Sequence, residues 1–433
     1  MKRPGLRPVS FSAPIAVLFA ALLLLLPLLL RVFAGNPLIP GPGSYGFLKA
    51  GALSLTGTPT LYTLFLAPLG DGRILSSVLL GLLAAYLFHR LAQVLFPRQD
   101  EQAIALLLFL INPLFLSIFT GLSPYALAVP AALLCLVFFY TSRFLPVPLL
   151  VALVASLSPL FAALLLALLI LRHLPRRFAV ASLLLALPAS LLAAQPHLVL
   201  AGTKALIAEF GAPLGFSLIY VAFALFGGVV QWGQRRDRAP FFLFAALLLL
   251  APFLEAARIA AGLLAIPFAA RFLSFLIRRR WRLRAAAGVT LLLTGCLLLF
   301  LLISHALVIA SEEPTKRLVG TLAALPPDEG VLLGPPELAP IIEATTTHPA
   351  YVEPGCGAAA CGDVARLYTT QRLTEAEPLL RRHGIRYLLI TKEMRQGLVW
   401  NRDEEGLLFL LKHSAKFSLL ASDGEQEIWR YAP

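Results

Sequence analysis

Residues 278–309, RRRWRLRAAAGVTLLLTGCLLLFLLISHALVI, decide the fold of this chain. Five arginines crowd the first seven positions, and from Ala285 to Ile309 there is no charged residue. A helix needs roughly 20 predominantly apolar residues to cross a hydrocarbon core of about 30 Å, and Lys and Arg collect in cytoplasmic loops. The stretch therefore predicts a membrane span entered from the cytoplasm. The same grammar recurs upstream: apolar runs at Ala20–Leu30, Ala103–Ile111 and Leu164–Leu171 alternate with arginine clusters at Arg172–Arg177 and Arg235–Arg238.

Composition agrees. Hydrophobic residues make up 59% and charged residues 14%, against about 25% charged in soluble proteins, and mean hydropathy is +0.83. A net charge of +13 raises the question of nucleic acid. However, 23 of the 36 basic residues precede Ser311, with only 6 of the 23 acidic ones, so residues 311–433 are net negative. No basic stripe is interleaved with aromatics as a groove reader requires. The positive charge is loop charge that orients spans, and nucleic acid is not an expected partner.

Starting inside, spans are predicted near 13–33, 73–96, 102–121, 123–141, 146–157, 159–171, 177–196, 212–231, 239–254, 257–277 and 285–309. The apolar run from Ala13 to Leu30 exceeds the 7–15 residues of a signal-peptide core, which favours a retained first helix. Residues 146–171 are split at Ser156-Leu157-Ser158-Pro159, because one long helix there would invert the later arginine loops. Short helices of this kind survive where protein or a water-filled cavity surrounds them. Arg271 falls inside a span near its cytoplasmic end, where its side chain can snorkel out. The expectation is an α-helical polytopic membrane protein of about 11 spans, in a prokaryotic plasma membrane. Its N-terminus is cytoplasmic, and its second domain is extracytoplasmic.

Within the membrane domain, 1–310, the external segment 35–72 is too long for a turn, and 44–53 is predicted to form a surface helix. A smaller external loop covers 197–211. From Ser311 the pattern changes to that of a small α/β domain, 311–433. Strands are predicted at Val331–Gly334 and Ile385–Thr391, and helices at Glu337–Thr345, Thr374–His383 and Glu405–Phe417. A hairpin is predicted about Asp423-Gly424.

Few motifs carry chemistry. Gly41-Pro42-Gly43-Ser44-Tyr45-Gly46 matches GxGxxG literally, but it lacks the strand and long helix of a dinucleotide site. Cys135 and Cys296 lie in spans. Cys356 and Cys361, in the domain placed outside, form a disulfide or remain free thiols; a zinc site would need four ligands and only His348 is near. Outer-face carboxylates of the membrane domain are Asp71, Glu209 and Glu255. Asp71 serves a Gly-Asp-Gly-Arg turn with Arg73, or acts as a base. Glu255 and Arg258 form a helical i,i+3 pair, or a carboxylate and guanidinium placed for chemistry at the lipid boundary. Glu209 and Lys204 are expected to be solvated. Trp400-Asn401-Arg402-Asp403 is distinctive but points to no chemistry.

The layout resembles the GT-C superfamily of membrane glycosyltransferases, especially prokaryotic relatives of oligosaccharyltransferase catalytic subunits and of protein O-mannosyltransferases. The local carriers are Asn36-Pro37-Leu38-Ile39-Pro40-Gly41-Pro42-Gly43-Ser44-Tyr45, Arg258 with the Ala/Pro-rich span after it, Ile385–Ile390, and Glu427–Tyr431. The resemblance implies inverting transfer of a sugar from a polyprenyl-phosphate donor to a protein or glycan acceptor. It implies Asp71 or Glu255 as base, Arg258 and Arg73 as phosphate clamps, Lys49 as a point charge, and Ser44 and Tyr45 at the substrate. A divalent metal stays open as a cofactor. Two departures stand out. The first external loop holds no carboxylate before Asp71, and the soluble domain lacks a WWDYG-like signature. A catalytically inactive GT-C-like scaffold of a cell-envelope pathway, or a lipid or solute transporter, therefore remain alternatives.

Overall fold

The computed structural model describes residues 12–42, 44–45, 73–190, 206–233, 239–279, 284–328, 330–351, 358–402 and 404–433. It divides into two compact units: Met1–Leu30 with Ser54–Ser311, and Arg31–Leu53 with Glu312–Pro433.

The first unit is helical. Its described helices are α1 (Ala13–Phe33), α2 (Arg73–Leu95), α3 (Gln99–Leu110), α4 (Pro113–Thr120), α5 (Tyr125–Tyr140) and α6 (Val147–Leu157). They continue with α7 (Pro159–Leu171), α8 (Arg176–Ala189), α9 (Leu218–Gly233), α10 (Ala239–Leu250), α11 (Glu255–Arg278) and α12 (Arg284–Ser311). The faces turned away from the unit are as apolar as those turned inward. In α1, Ala16, Ala20 and Leu24 are buried while Leu18 and Leu22 are exposed. In α12, Leu301 and Ala306 are buried while Leu292 and Phe300 are exposed. Helices apolar all round belong in lipid, so this is a multi-pass membrane unit.

Helix length tempers the expected span count. Among the described residues, α1, α2, α11 and the helix beginning at Ala285 are long and apolar enough to cross a membrane alone, and the bent pair α3–α4 makes a fifth. The apolar helices α5, α6, α7, α9 and α10 fall between 10 and 17 residues. At ~1.5 Å per residue, these are shorter than a core of about 30 Å. A helix occupies every predicted segment, while among the described residues helix length does not confirm the count of about eleven spans.

Two breaks have clear causes. Ser158 is extended (φ −153°, ψ 99°) and its hydroxyl caps α7, accepting from the Phe161 N–H at 3.4 Å. Pro159 follows as the first helical residue, where a missing N–H costs nothing. The predicted split of 146–171 is thus present. The stretch 102–121, by contrast, was expected to be one span and is bent by 52° between α3 and α4. Pro113 drives Asn112 out of helical geometry, and the Asn112 side chain then caps α4 from Oδ1 to the Leu114 N–H at 3.0 Å.

Glu209 is likewise not a solvated surface group. Its carboxylate accepts from Ser217 Oγ at 2.5 Å, from the Leu218 N–H at 3.1 Å and from the Ile219 N–H at 3.3 Å, at the start of α9. Orphan N–H groups and the positive end of the helix dipole favour an anion there. Glu209→Ala is expected to destabilise the purified protein by about 1 kcal/mol, the usual worth of a cap. Thermal unfolding in detergent measures it, and an unshifted midpoint refutes the cap. Farther along α9, a methyl on Gly227 would lie 1.9 Å from the Phe268 carbonyl oxygen, so this glycine lets α9 and α11 pack backbone to backbone.

The second unit holds a four-stranded sheet ordered β1-β2-β4-β3, from β1 (Val331–Leu333), β2 (Ile385–Thr391), β3 (Phe417–Ser422) and β4 (Gln426–Tyr431). β1 runs parallel to β2, and the other pairs are antiparallel. β2 is buried on both faces, which explains its almost unbroken apolar sequence. On one side Leu388 and Ile390 pack with Leu407, Leu411 and Trp400. On the other, Tyr387 and Leu389 pack with Leu318, Ile342 and Tyr45. Burial and the Asp328 carboxylate, which accepts from the Tyr387 hydroxyl, push that phenol up to about 12.

Around the sheet lie α13 (Lys316–Leu322), α14 (Ala339–Thr345), α15 (Ala358–Thr369), α16 (Leu373–Arg382) and α17 (Gly406–His413). α13 and α15 were not expected. The predicted helix 405–417 stops at His413, because the chain turns extended at Ser414 to enter β3. Trp400 acts structurally: its indole N–H donates to the Tyr368 carbonyl at 2.8 Å.

Candidate functional site

The membrane unit gathers polar groups at the start of α11. Leu254 is extended (φ −131°, ψ 118°), and Glu255 opens the helix, where an acid suits the positive end of the dipole. Arg258 follows one turn later on the same face. Tyr125, at the start of α5, lies beside Ser158 and within electrostatic reach of Glu255 and Arg258. Ser158 sits in the non-helical break between α6 and α7. Tyr125 is 7% exposed, whereas Glu255 is exposed. Carboxylate, guanidinium, phenol and hydroxyl thus converge from three stretches of chain. Neither Tyr125 nor Ser158 had been singled out from the sequence; only the polar break at 156–158 hinted at them.

The remaining expected residues are scattered. Arg73 begins α2 and is half-buried. Asp71, Lys49 and Cys356 lie outside the described residues. Cys361 is disulfide-bonded, while Cys135 and Cys296 are free. Ser44 and Tyr45 belong to the second unit, where both are buried, Tyr45 within the core beneath the sheet. His348 has both ring nitrogens on main-chain carbonyls, Nδ1 with Gly330 at 2.8 Å and Nε2 with Pro326 at 2.9 Å, so it is no metal ligand. Among the described residues no three His, Cys, Asp or Glu side chains converge on a metal position.

In that second unit the first-loop motif is stapled to the chain that follows α12. Arg31 is fully buried. Its Nε donates to the Pro37 carbonyl at 2.7 Å, its Nη1 to Glu312 at 2.7 Å, and its Nη2 to Pro314 at 3.0 Å and to Ile39 at 3.4 Å. The Gly41 N–H donates to the Glu313 carbonyl at 2.7 Å. Gly41 has φ +79°, and a methyl on it would lie 3.0 Å from Glu312 Oε1, so glycine is required on both counts. The fold therefore sets the Glu312 carboxylate against a first loop whose own sequence has no acid before Asp71.

No family model and no curated protein sequence matches the chain. Solved structures do. An oligosaccharyltransferase of Archaeoglobus fulgidus, crystallised with a tethered acceptor peptide, aligns at a TM-score of 0.58 with 11% identity, over 96% of this chain and 74% of that one. The same organism's oligosaccharyltransferase AglB, in complex with an inhibitory peptide and a dolichol-phosphate, aligns at 0.54 with 12% identity, over 95% and 74%. ArnT from Cupriavidus metallidurans, bound to undecaprenyl phosphate, aligns at 0.54 with 12% identity, over 97% and 98%. The chain thus shares the fold of these structures, the GT-C fold. The sequence resemblance is borne out at the level of the fold.

Proposed function

We infer that this protein transfers a sugar from a polyprenyl-phosphate-linked donor to an acceptor at the outer face of the membrane. What carries the reading is a fold alignable along nearly the whole of both chains with a transferase bound to undecaprenyl phosphate, together with the cluster at the start of α11. In the reaction an acceptor nucleophile attacks the anomeric carbon as the sugar–phosphate C–O bond breaks. The bonding electrons leave with polyprenyl phosphate, and the acceptor's proton passes to a carboxylate. Arg258 and Arg73 hold the phosphate through planar forks, with Lys49 as a further cation. Glu255 or Asp71 takes the proton. The distribution of loop arginines supports an extracytoplasmic site, as does the disulfide at Cys361.

The test is the purified full chain in nanodiscs with polyprenyl-phosphate hexose and a membrane extract as acceptor source. Release of polyprenyl phosphate with labelled sugar in the acceptor fraction is the expected result. The acid-free stretch of first loop before Asp71 favours one rival, a GT-C-like scaffold. That rival predicts donor binding with no release. Neither binding nor release refutes both.

A further inference from the structure

A cavity of about 160 Å³ lies in the membrane unit between α2, α3, α5, α7, α9, α10 and α11. Most of its wall is apolar, with Phe109, Val129, Phe161 and Ala260 at its inner end. The charged side chains of its lining are both guanidinium groups, Arg172 and Arg271, and Gln231 lies with them. Arg172 caps the C-terminus of α7, Gln231 stands near the end of α9, and Arg271 lies in the last third of α11. These helix ends share one side of the unit. Arg271 is oriented, donating from Nη1 to Gln231 Oε1 and standing with Cζ 5.7 Å from the Phe96 ring centroid. Farther along α11, Arg278 anchors the same end, with Nε 2.8 Å from Asp100 Oδ2 and Nη1 3.1 Å from Glu101 Oε1 at the start of α3.

From Ala260 to Arg271 the cavity follows α11 for about 16 Å at ~1.5 Å per residue. That is roughly half of a hydrocarbon core of about 30 Å, or one leaflet. We propose that the cavity takes one acyl chain of an anionic glycerophospholipid from the arginine-side leaflet, with the lipid phosphate held by Arg172 and Arg271. Charge selects the headgroup, since a planar guanidinium fork matches phosphate, and basic pockets between spans on the cytoplasmic side bind anionic lipids. Depth selects the chain. A leaflet lipid fills a leaflet-deep channel, whereas a polyprenyl chain outruns it. The loop arginines make this the cytoplasmic leaflet, so the phosphate end lies at the opposite end of α11 from Glu255 and Arg258, toward which the apolar end runs. The site therefore stands whether or not the protein transfers sugar.

Native mass spectrometry of the purified full chain tests the assignment, with phosphatidylglycerol, phosphatidylcholine of the same chain length, and polyprenyl phosphate as probes. The wild-type protein is expected to retain phosphatidylglycerol at least tenfold over phosphatidylcholine. The Arg172→Gln/Arg271→Gln double variant loses at least tenfold of that retention and keeps its hold on polyprenyl phosphate. Ala132→Trp, which fills the channel, loses phosphatidylglycerol with both arginines intact. Equal retention of the two phospholipids by the wild-type protein overturns the proposal without any variant. A folded double variant that still holds phosphatidylglycerol also overturns it. So does one that drops polyprenyl phosphate instead, because the cavity would then belong to the donor.

Discussion

Arg31→Met is expected to destabilise the second unit by about 3–5 kcal/mol, the scale on which a buried charge network fails when one partner is removed. Arg31 is inaccessible to solvent and donates to four main-chain carbonyls, two in the first loop and two just after α12. Hydrogen bonds to a charged group contribute about 1.5–3 kcal/mol each, and buried acceptors left empty cost their desolvation. Simple addition would overshoot, since some carbonyls will find water. Arg31→Lys should recover only part of the loss, because an ammonium cannot span four acceptors set around a planar fork. Limited proteolysis of residues 312–433 in the purified full chain, with thermal unfolding alongside, reads the effect. Wild-type resistance in Arg31→Met would mean that the staple carries no weight.

Arg31 also shows where sequence reading stopped. In the chain it is one of several scattered bases beyond an apolar helix, and nothing local tells it from a lipid-facing snorkel. Its carbonyl partners at Glu312 and Pro314 are some 280 residues away, a pairing that only tertiary structure creates. The same holds for Glu312. The acid-free first loop was legible, whereas its contact with a carboxylate beyond the last long helix was not.

What could be read was whatever burial writes locally. Each apolar run became a helix, and β2 announced itself because both of its faces are covered. The Ser158 break was visible in a Ser-Leu-Ser-Pro stretch flanked by apolar residues. The comparable signal at Asn112-Pro113 went unheeded because hydropathy runs unbroken across it, although an Asn-Pro pair marks a turn as clearly. Helix α15 was missed since Ala358–Thr369 opens on Ala-Ala-Ala-Cys-Gly, directly after the loop-like Pro354-Gly355-Cys356-Gly357. Tyr125 was hidden for the opposite reason, as one aromatic among many in an apolar segment. Its meaning comes from Ser158, Glu255 and Arg258 meeting it in space.

That meeting yields the sharpest test of the transfer chemistry. Glu255→Gln is expected to lower kcat by about 10²–10⁴, the usual worth of a positioned general base, with KM for the donor little changed. Glutamine keeps the size and the hydrogen bonding but cannot take a proton. Arg258→Lys should behave differently. Losing the fork that grips phosphate weakens donor and transition state together, so KM rises while kcat falls less. A structural ion pair between the two would give neither pattern; both variants would lose stability alike, and thermal unfolding would show it. Should Glu255→Gln keep full kcat, proton transfer passes to Asp71, testable by its own amide. If both amide variants still turn over normally, neither carboxylate is the base. If none of them changes anything because the wild-type protein binds donor without releasing polyprenyl phosphate, the acid-poor first loop marks a GT-C fold kept for binding.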